Sequence, residues 1–408
     1  MRRAFVAPLL FTLGACGGGS GPLDRDREVR ALVDSLLPAL TALSGLAQRD
    51  SVHVTVQAPA DVRAFVERKL DEDLPPAELE GIRSAYGMLG LIPEEVDLRA
   101  LLLALYSEQI VGYYDPDART LYVVEGVQRD ALRPVLVHEL VHALQDQHTN
   151  LDSLIAKERG NDRQLAAQAA IEGHATLVMF AFLAGERLGA PVRPAELADP
   201  ADQLRPGLEA ANAQFPVFRN APRAVREVLL FPYLRGASFV HALWSRDASS
   251  GVPAPPLGSE LPQSTEQVLH PVDRFLAGRD APTFLAFEER GETGVVYENT
   301  LGELETTLFL EEQLGEGAAH AGGWDGDRYR VGRMPDGTLV LDWVLVFDDD
   351  AAADRFALHA RAAIGRLSRP GHVNSIRVED MPGVRIRIAD TEAALDAPPP
   401  QAVIVRDG

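Results

Sequence analysis

The chain has 408 residues, of which 39 are Lys or Arg and 60 are Asp or Glu, so its formal net charge at neutral pH is −21. A chain this acidic repels nucleic acid and anionic lipid, and the sequence has no basic stripe or nucleic-acid motif to offset that repulsion. Apolar residues make up 46% of the sequence, which predicts a globular protein, and the length allows two or three domains.

The N-terminus has the features of a lipoprotein signal. Residues 1–15 contain two arginines followed by an apolar run that is too short to stay in a membrane as a helix, so we predict a signal peptide. The quartet Leu13-Gly14-Ala15-Cys16 resembles the bacterial lipobox, and Cys16 is the only cysteine, which predicts lipidation there. A plain secretion signal with an unmodified thiol is the alternative. Residues 16–23 are predicted to form a flexible tether. The resemblance to bacterial lipoproteins implies the outer membrane rather than the inner one, because Gly17 and not Asp follows the cysteine.

Residues 24–104 are predicted to form a mainly helical N-terminal region. Apolar side chains recur there every three to four residues, the period of a helix with one buried face. One short stretch instead alternates apolar and polar residues, as a strand does, with His53 facing solvent. The predicted helices are Glu28–Leu46, Ala60–Asp71, Pro76–Gly87 and Leu98–Ser107, and the predicted strand is Val52–Val56.

A β-hairpin is predicted next. Ile110–Tyr114 and Leu121–Val124 are rich in β-branched and aromatic residues. They flank Asp115-Pro116-Asp117-Ala118, a cluster of residues that favour turns.

The motif His138-Glu139-Leu140-Val141-His142 lies in a stretch with the apolar pattern of a buried helix. Positions i and i+4 share one face of a helix, so both imidazoles can bind the same metal ion. Glu139 lies about 60° around the helix from His142, which is too far for a third ligand but close enough to reach a water beside the ion. We therefore predict a zinc site with Glu139 as general base. A purely structural role is disfavoured because buried histidines beside a buried Glu are costly without a cation.

Two residues compete for the role of third metal ligand. His148 has the spacing of the metzincin pattern, but Gln145 occupies the position of the glycine that turns the chain in that pattern. If the helix continues, His148 lies about 15 Å along the axis from His138. The other candidate, Glu172, lies in an alanine-rich helix predicted over Asp162–Leu188, where small side chains permit close helix packing. Two His and one Glu leave a position open for water, which is the catalytic arrangement of zinc.

Further side chains are candidates for supporting roles. Thr176, one turn after Glu172, and Asp146, one turn after His142, could hold the ligands by hydrogen bonds, or could be merely solvated. Tyr233 and His270 are candidates to donate a hydrogen bond to the oxyanion of a transition state, with simple packing as the alternative for each. His241 lies on an apolar helix face and is predicted to belong to the core.

The C-terminal residues 321–408 are predicted to form a small α+β unit without a catalytic constellation. It would pack on the rest of the protein or bind a partner. A first strand is predicted to begin at about Asp327 and to lead into an Asp-Gly turn. The later predicted strands are Thr338–Phe347, Val373–Val378 and Val384–Ile388, and the predicted helix is Ala351–Leu367.

Several of these motifs together resemble the gluzincin zinc peptidases, in particular a bacterial group of secreted or lipid-anchored members. The resemblance covers most of residues 105–330 and implies that His138, His142 and Glu172 bind zinc while Glu139 acts on the water. His174 departs from the family pattern, where an acidic or small residue is expected, and this raises the question of an altered metal site. The matching segments are Val137–His148, Glu172-Gly173-His174-Ala175, Val111–Pro116, Leu121–Val124, Ser264–Pro271 and Gly326–Tyr329.

These observations predict an α+β protein: a mainly helical zincin-like peptidase domain over residues 105–320 with a small edge hairpin, plus the C-terminal unit. In peptidases of this type an edge strand commonly binds extended substrate, and the hairpin is the candidate here, although an ordinary core hairpin fits as well. The functional hypothesis is a lipid-anchored, zinc-dependent envelope peptidase acting on peptides or proteins. The alternative is a non-catalytic envelope lipoprotein, a scaffold or chaperone, whose zinc site is structural or vestigial. A fourth protein ligand that closes the site, from His148 or His174, would favour this alternative.

Overall fold

A computed structural model describes residues 26–127, 129–156, 159–199, 205, 214–246, 254–288, 294–317 and 321–405. The predicted signal peptide, the lipidation site at Cys16 and the tether over residues 16–23 lie outside the described residues.

In the N-terminal half of the described chain, the helices begin and end close to the predicted positions. They are α1 (Asp26–Ser44), α2 (Pro59–Asp73), α3 (Pro76–Met88), α4 (Leu98–Gln109), α5 (Arg129–Asp146), α6 (Leu151–Leu154), α7 (Asn161–Leu188), α8 (Pro216–Asn220), α9 (Arg223–Arg246), α10 (Thr265–Leu269), α11 (Gly302–Leu314), α12 (Asp350–Ile364) and α13 (Glu392–Leu395). Short 3₁₀ segments cover Pro194–Glu196 and Gly258–Glu260, and a π-helical segment covers Pro271–Leu276.

The strands form three sheets. They are β1 (His53–Gln57), β2 (Gly112–Asp115), β3 (Thr120–Val124), β4 (Leu285–Phe287), β5 (Gly294–Asn299), β6 (Trp324–Arg333), β7 (Leu339–Phe347), β8 (Gly371–Val378), β9 (Met381–Ala389) and β10 (Ala402–Ile404). In the first sheet, β3 lies between β1, which runs parallel to it, and β2, which runs antiparallel. The predicted hairpin is therefore present, and β2 lies at an edge of this sheet.

The C-terminal sheet has five antiparallel strands in the order β5-β6-β7-β9-β8. Helix α12 packs on β8 and β9, and Phe356 on this helix contacts Trp343 and Phe347 of β7 in a buried core. The sheet also includes β5, which precedes residue 321, where the predicted C-terminal unit begins. Strands β4 and β10 form a separate two-stranded pair.

The larger apolar core joins α1, α5, α7 and α9, and its closest helix packing is the crossing of α7 and α9. A Cβ atom on Gly173 of α7 would lie 2.0 Å from the backbone carbon of Gly236 of α9, and a Cβ on Gly236 would lie 2.0 Å from the carbonyl oxygen of Ala169. The two backbones therefore touch next to Glu172, and only glycine fits at these positions.

Helix α7 is also long and apolar enough to cross a membrane by length and composition. However, 83% of its most apolar window is buried inside the protein, as expected for the central helix of a globular core.

The predicted α+β class is confirmed. His53 faces solvent as predicted, since it is exposed at the start of β1. Helix α11, strand β5 and the parallel pairing of β1 with β3 were not predicted. The division into domains stays a prediction.

Candidate metal centre

Three buried side chains from two helices converge to form the candidate site. Helix α5 supplies His138 and His142 from adjacent turns, and α7 supplies Glu172 from beside the close crossing with α9. The Nε2 atom of His138 lies 3.0 Å from Glu172 Oε2 and 3.0 Å from His142 Nε2, and His142 Nε2 lies 3.3 Å from the same carboxylate oxygen. Each of the three residues is at most 1% exposed. Their donor atoms lie within 4.8 Å of one another, close enough to hold one metal ion.

The hydrogen bonding of the cluster is incomplete. Glu172 Oε1 and His138 Nδ1 are buried and have no hydrogen-bond partner within the described part of the chain. A buried carboxylate oxygen without a partner is costly. A bound divalent cation would offset this cost, so the donor set fits a metal ion.

The protonation of the cluster reflects both burial and the pairing of charges. Burial lowers the pKa of His138, which favours a neutral ring. Burial also acts to lower the pKa of His142, but the Glu172 carboxylate outweighs it and raises the pKa to about 9. For Glu172, burial is outweighed by the charge of His142 and by hydrogen bonds from both histidines, and its pKa falls to about 2. Without a metal, the site therefore holds an ion pair between His142 and Glu172.

Glu139 lies beside the cluster and is held by the edge strand of the first sheet. Its Oε2 accepts a hydrogen bond of 2.8 Å from the backbone N–H of Tyr114 in β2. The residue is 1% exposed, and burial raises its pKa to about 8. Such a carboxyl group can exchange protons near neutral pH, as a general base or acid does.

The outer face of His142 contacts residues that the sequence analysis had not assigned to the site. His142 Nδ1 lies 2.8 Å from Gln145 Oε1, and Gln145 Nε2 lies 3.0 Å from both the Ile171 carbonyl oxygen and His174 Nδ1. His174 Nε2 in turn lies 3.0 Å from the carbonyl oxygen of Ser44, the last residue of α1. Burial lowers the pKa of His174 to about 3, so its ring is neutral.

This arrangement corrects the two predicted supporting residues. Asp146 accepts a hydrogen bond from Tyr114 Oη, while Gln145 occupies Nδ1 of His142. The hydroxyl of Thr176 is buried without a hydrogen-bond partner in the described regions, and so it does not hold Glu172. The sequence pattern does not predict this role for Gln145, because it compares the residue only with the turn glycine of the metzincin pattern. Its spacing of three from His142 was the available signal.

The two histidines that could have altered the site point elsewhere. His148 lies in the turn after α5, and its Nε2 lies 2.7 Å from the carbonyl oxygen of Ala47. His174 is two residues from Glu172. Its Nδ1 contacts Gln145 and its Nε2 contacts the carbonyl oxygen of Ser44, so neither ring nitrogen faces the three donor atoms.

The two oxyanion candidates have different surroundings. Tyr233 on α9 is 2% exposed, and its ring centre lies 6.1 Å from that of His138. Burial, together with the charges of Glu172 and Glu139, raises the pKa of Tyr233 well above its ordinary value, so the hydroxyl keeps its proton. His270 pairs instead with Glu303, at 2.9 Å, and its side chain is 45% exposed. The role of each residue stays a prediction. Tyr233 is the one whose ring lies near a residue of the cluster, His138.

His241, predicted to belong to the core, is half-buried, and its Nε2 lies 2.8 Å from the carbonyl oxygen of Leu197.

Comparisons with known proteins give little help with this site. Residues 291–401 match a family model described as a domain of unknown function, DUF8575. That match covers the C-terminal sheet and excludes the HExxH helix, so the resemblance to gluzincins depends on the motifs alone. No curated protein matches the chain. A solved structure from Chloroflexus aurantiacus, described as a proposed hydrolase with a novel fold, is 18% identical, with a TM-score of 0.32, and the alignment covers 62% of this chain and 90% of that one. Likeness at that level carries no argument about this protein.

Proposed function

We propose that the protein is a zinc-dependent peptidase in which His138, His142 and Glu172 bind the metal and Glu139 transfers protons. The observation that carries the proposal is the convergence of two imidazoles and one carboxylate at mutual distances of 3.0 to 3.3 Å. Glu139 is close enough to interact with the charges of His142 and Glu172. Three ligands placed ~2.1 Å from one ion at tetrahedral angles lie ~3.4 Å from each other. The observed spacing is therefore close to that of a zinc site.

When bound, zinc supplies Lewis acidity at a substrate carbonyl and lowers the pKa of a coordinated water toward about 7. The protein's own residues then perform the proton transfers. Glu139 would take a proton from the attacking water and deliver it to the departing amine. The Tyr114 N–H holds the Glu139 carboxylate in place for both transfers. Tyr233 keeps its proton and would donate it in a hydrogen bond to the developing oxyanion.

The coordination set favours catalysis over a structural role. A structural zinc site normally has four protein ligands, whereas a catalytic site has three. The rival hypothesis of a closed site requires His148 or His174 as the fourth ligand, and each of these rings hydrogen-bonds to a backbone carbonyl instead. Among the described residues, three side chains at this site are placed to bind a metal ion, which is the number in a catalytic site.

The proposed substrates are peptides or proteins, and the proposed location is the bacterial envelope, with a lipid on Cys16 and the outer membrane favoured. Support for the location comes from the sequence of residues 1–23. The net charge of −21 argues against nucleic acid as a partner.

The test compares the purified, zinc-loaded protein with its Glu139→Gln variant on a mixed peptide library read by mass spectrometry. The variant keeps the shape of the side chain but cannot accept the proton, so cleavage is expected to fall by about 10²–10⁴-fold. Zinc content, measured by atomic emission, is expected to stay at one ion per chain in both proteins.

Two outcomes would contradict the proposal. Equal cleavage by both proteins would mean that Glu139 is not the base or that a contaminant cleaves the peptides. Intact peptides in both samples, with one tightly held zinc per chain, would favour the non-catalytic envelope protein.

A further inference from the structure

We propose that Gln145 and His174 form a hydrogen-bond relay from the Ser44 carbonyl to His142, and that this relay orients His142 so that its Nε2 faces the metal. The inference deepens the proposed function and rests on His142 being a metal ligand. Gln145 and His174 are positioning residues, since neither of them contacts the three metal-binding atoms.

The direction of each hydrogen bond follows from two backbone carbonyls that can only accept. The Ser44 oxygen lies 3.0 Å from His174 Nε2, so the proton of His174 is on Nε2. The Ile171 oxygen lies 3.0 Å from the terminal nitrogen of Gln145, which fixes the amide with its NH₂ group on that side.

The remaining bonds then have one consistent assignment. The Gln145 NH₂ group donates its second hydrogen to the bare Nδ1 of His174, at 3.0 Å. The Gln145 oxygen is left facing His142 Nδ1 at 2.8 Å, and it accepts a hydrogen bond from that nitrogen. His142 therefore carries a proton on Nδ1, and Nε2 is the atom available to a metal.

The surroundings of the relay keep it in place. Gln145 and His174 are both completely buried, so water does not compete for these hydrogen bonds. Trp244 on α9 packs edge-on against the His174 ring, with ring centres 5.3 Å apart. Outer partners of this kind fix the ring orientation of a metal-binding histidine.

The experiment uses the full chain with ¹⁵N-labelled histidine rings, and the ring nitrogens are read by NMR in the zinc-free protein. Because His142 is charged in the zinc-free protein, both of its ring nitrogens carry protons, so the wild-type test is made on His174. The relay predicts a proton on Nε2 but not on Nδ1 of His174. Single-histidine variants assign the signals. In Gln145→Leu the His142 Nδ1–H loses its acceptor, so its resonance is expected to move upfield and to exchange faster with water. Gln145→Glu retains an acceptor oxygen toward His142 and is expected to keep that resonance.

Zinc affinity supplies a second measurement, by competition with a chromogenic chelator. Gln145→Leu is expected to bind zinc about 10–100-fold more weakly than the wild type, and His174→Phe to show a smaller loss because Ile171 still holds the amide. Val141→Ala is the matched control, since it removes buried atoms from the same helix outside the relay and should leave the affinity unchanged.

A proton on Nδ1 of His174 would overturn the relay. So would an unchanged His142 signal in Gln145→Leu, or equal losses of zinc affinity in Gln145→Leu and Val141→Ala. Failure of the proposed function looks different: a wild-type chain that shows the predicted ring protons but binds no zinc would refute the metal site and support the relay.

Discussion

At the scale of single residues, Glu172 makes the strongest prediction because its Oε2 lies near both histidines. Glu172→Ala removes one of three ligands, so zinc affinity is expected to fall by more than the ~10–100-fold that follows loss of an outer partner. His148→Ala should leave the affinity unchanged, since His148 contacts Ala47. Chelator competition on both variants measures this. Full zinc occupancy in Glu172→Ala together with a loss in His148→Ala would show that the ligand assignment is wrong.

A second residue, Glu305 on α11, makes stability depend on pH. Tyr86 and Asn161 hydrogen-bond to its buried carboxyl group, and burial raises its pKa to about 8, with the charges of Asp327 and Asp162 adding to the shift. The unfolded value is ~4.3, so the contribution of Glu305 to stability is complete below that pH and is lost as the pH rises to about 8.

Glu305→Gln, which stays neutral, should therefore weaken the pH dependence of unfolding. Between pH 5 and 8 the free energy of unfolding of the wild type is expected to fall by on the order of 3–4 kcal/mol more than that of the variant. Thermal melts followed by circular dichroism at constant zinc concentration check the difference. Parallel pH profiles for the two proteins would mean that Glu305 is ionised in the folded protein at neutral pH.

At the scale of elements, the crossing of α7 and α9 positions Glu172. Gly236→Ala places a methyl group 2.0 Å from the Ala169 carbonyl oxygen, so the helices must separate. The expected cost is about 1–3 kcal/mol or more, and the shift of α7 should also weaken zinc binding. Gly278→Ala is the control, because a Cβ there meets nothing within 4 Å. An unchanged melting temperature and zinc affinity in Gly236→Ala would mean that the crossing can widen without moving Glu172.

The elements also show where sequence patterns are informative. Helices α1 to α5 and α7 have one-sided or all-round apolar patterns and propensities that give their positions to within a few residues. Strand β5 escaped prediction because its residues are exposed or half-buried and lack clear alternation. The pairing of β1 with β3 joins residues 67 positions apart, as in His53 with Thr120, and no local pattern specifies such a contact.

The difference between local patterns and contacts between distant residues also applies to the candidate metal site. The i, i+4 spacing of His138 and His142 is a local property of one helix, so the sequence was sufficient to predict this pair. The contacts between Gln145, His174 and Ser44 join three separate helices, and they depend on packing that the sequence analysis did not resolve.

At the scale of the whole molecule, α1 is part of the core that surrounds the site. Val29, Val33, Leu36 and Leu40 are almost completely buried, and Ser44 accepts the hydrogen bond from His174. Burial of four such side chains is worth ~1.5–3 kcal/mol each, comparable in sum with the total stability of a domain.

Deletion of residues 26–44 is therefore expected to abolish cooperative folding instead of releasing an inhibited enzyme. Thermal melts and peptide cleavage by the truncated and full chains measure this. A truncated chain that melts cooperatively and cleaves faster would identify α1 as an inhibitory segment.

The burial of the three donors also determines how fast anything can enter or leave the site. With exposed fractions of 0% for His138 and Glu172 and 1% for His142, neither an ion nor a peptide carbonyl reaches them from solvent in this conformation. Exchange therefore requires the groups that cover these donors to move first, and the free energy of that opening enters the rate constants for binding and release. An ion at this site would dissociate no faster than the protein opens, however weakly its ligands hold it.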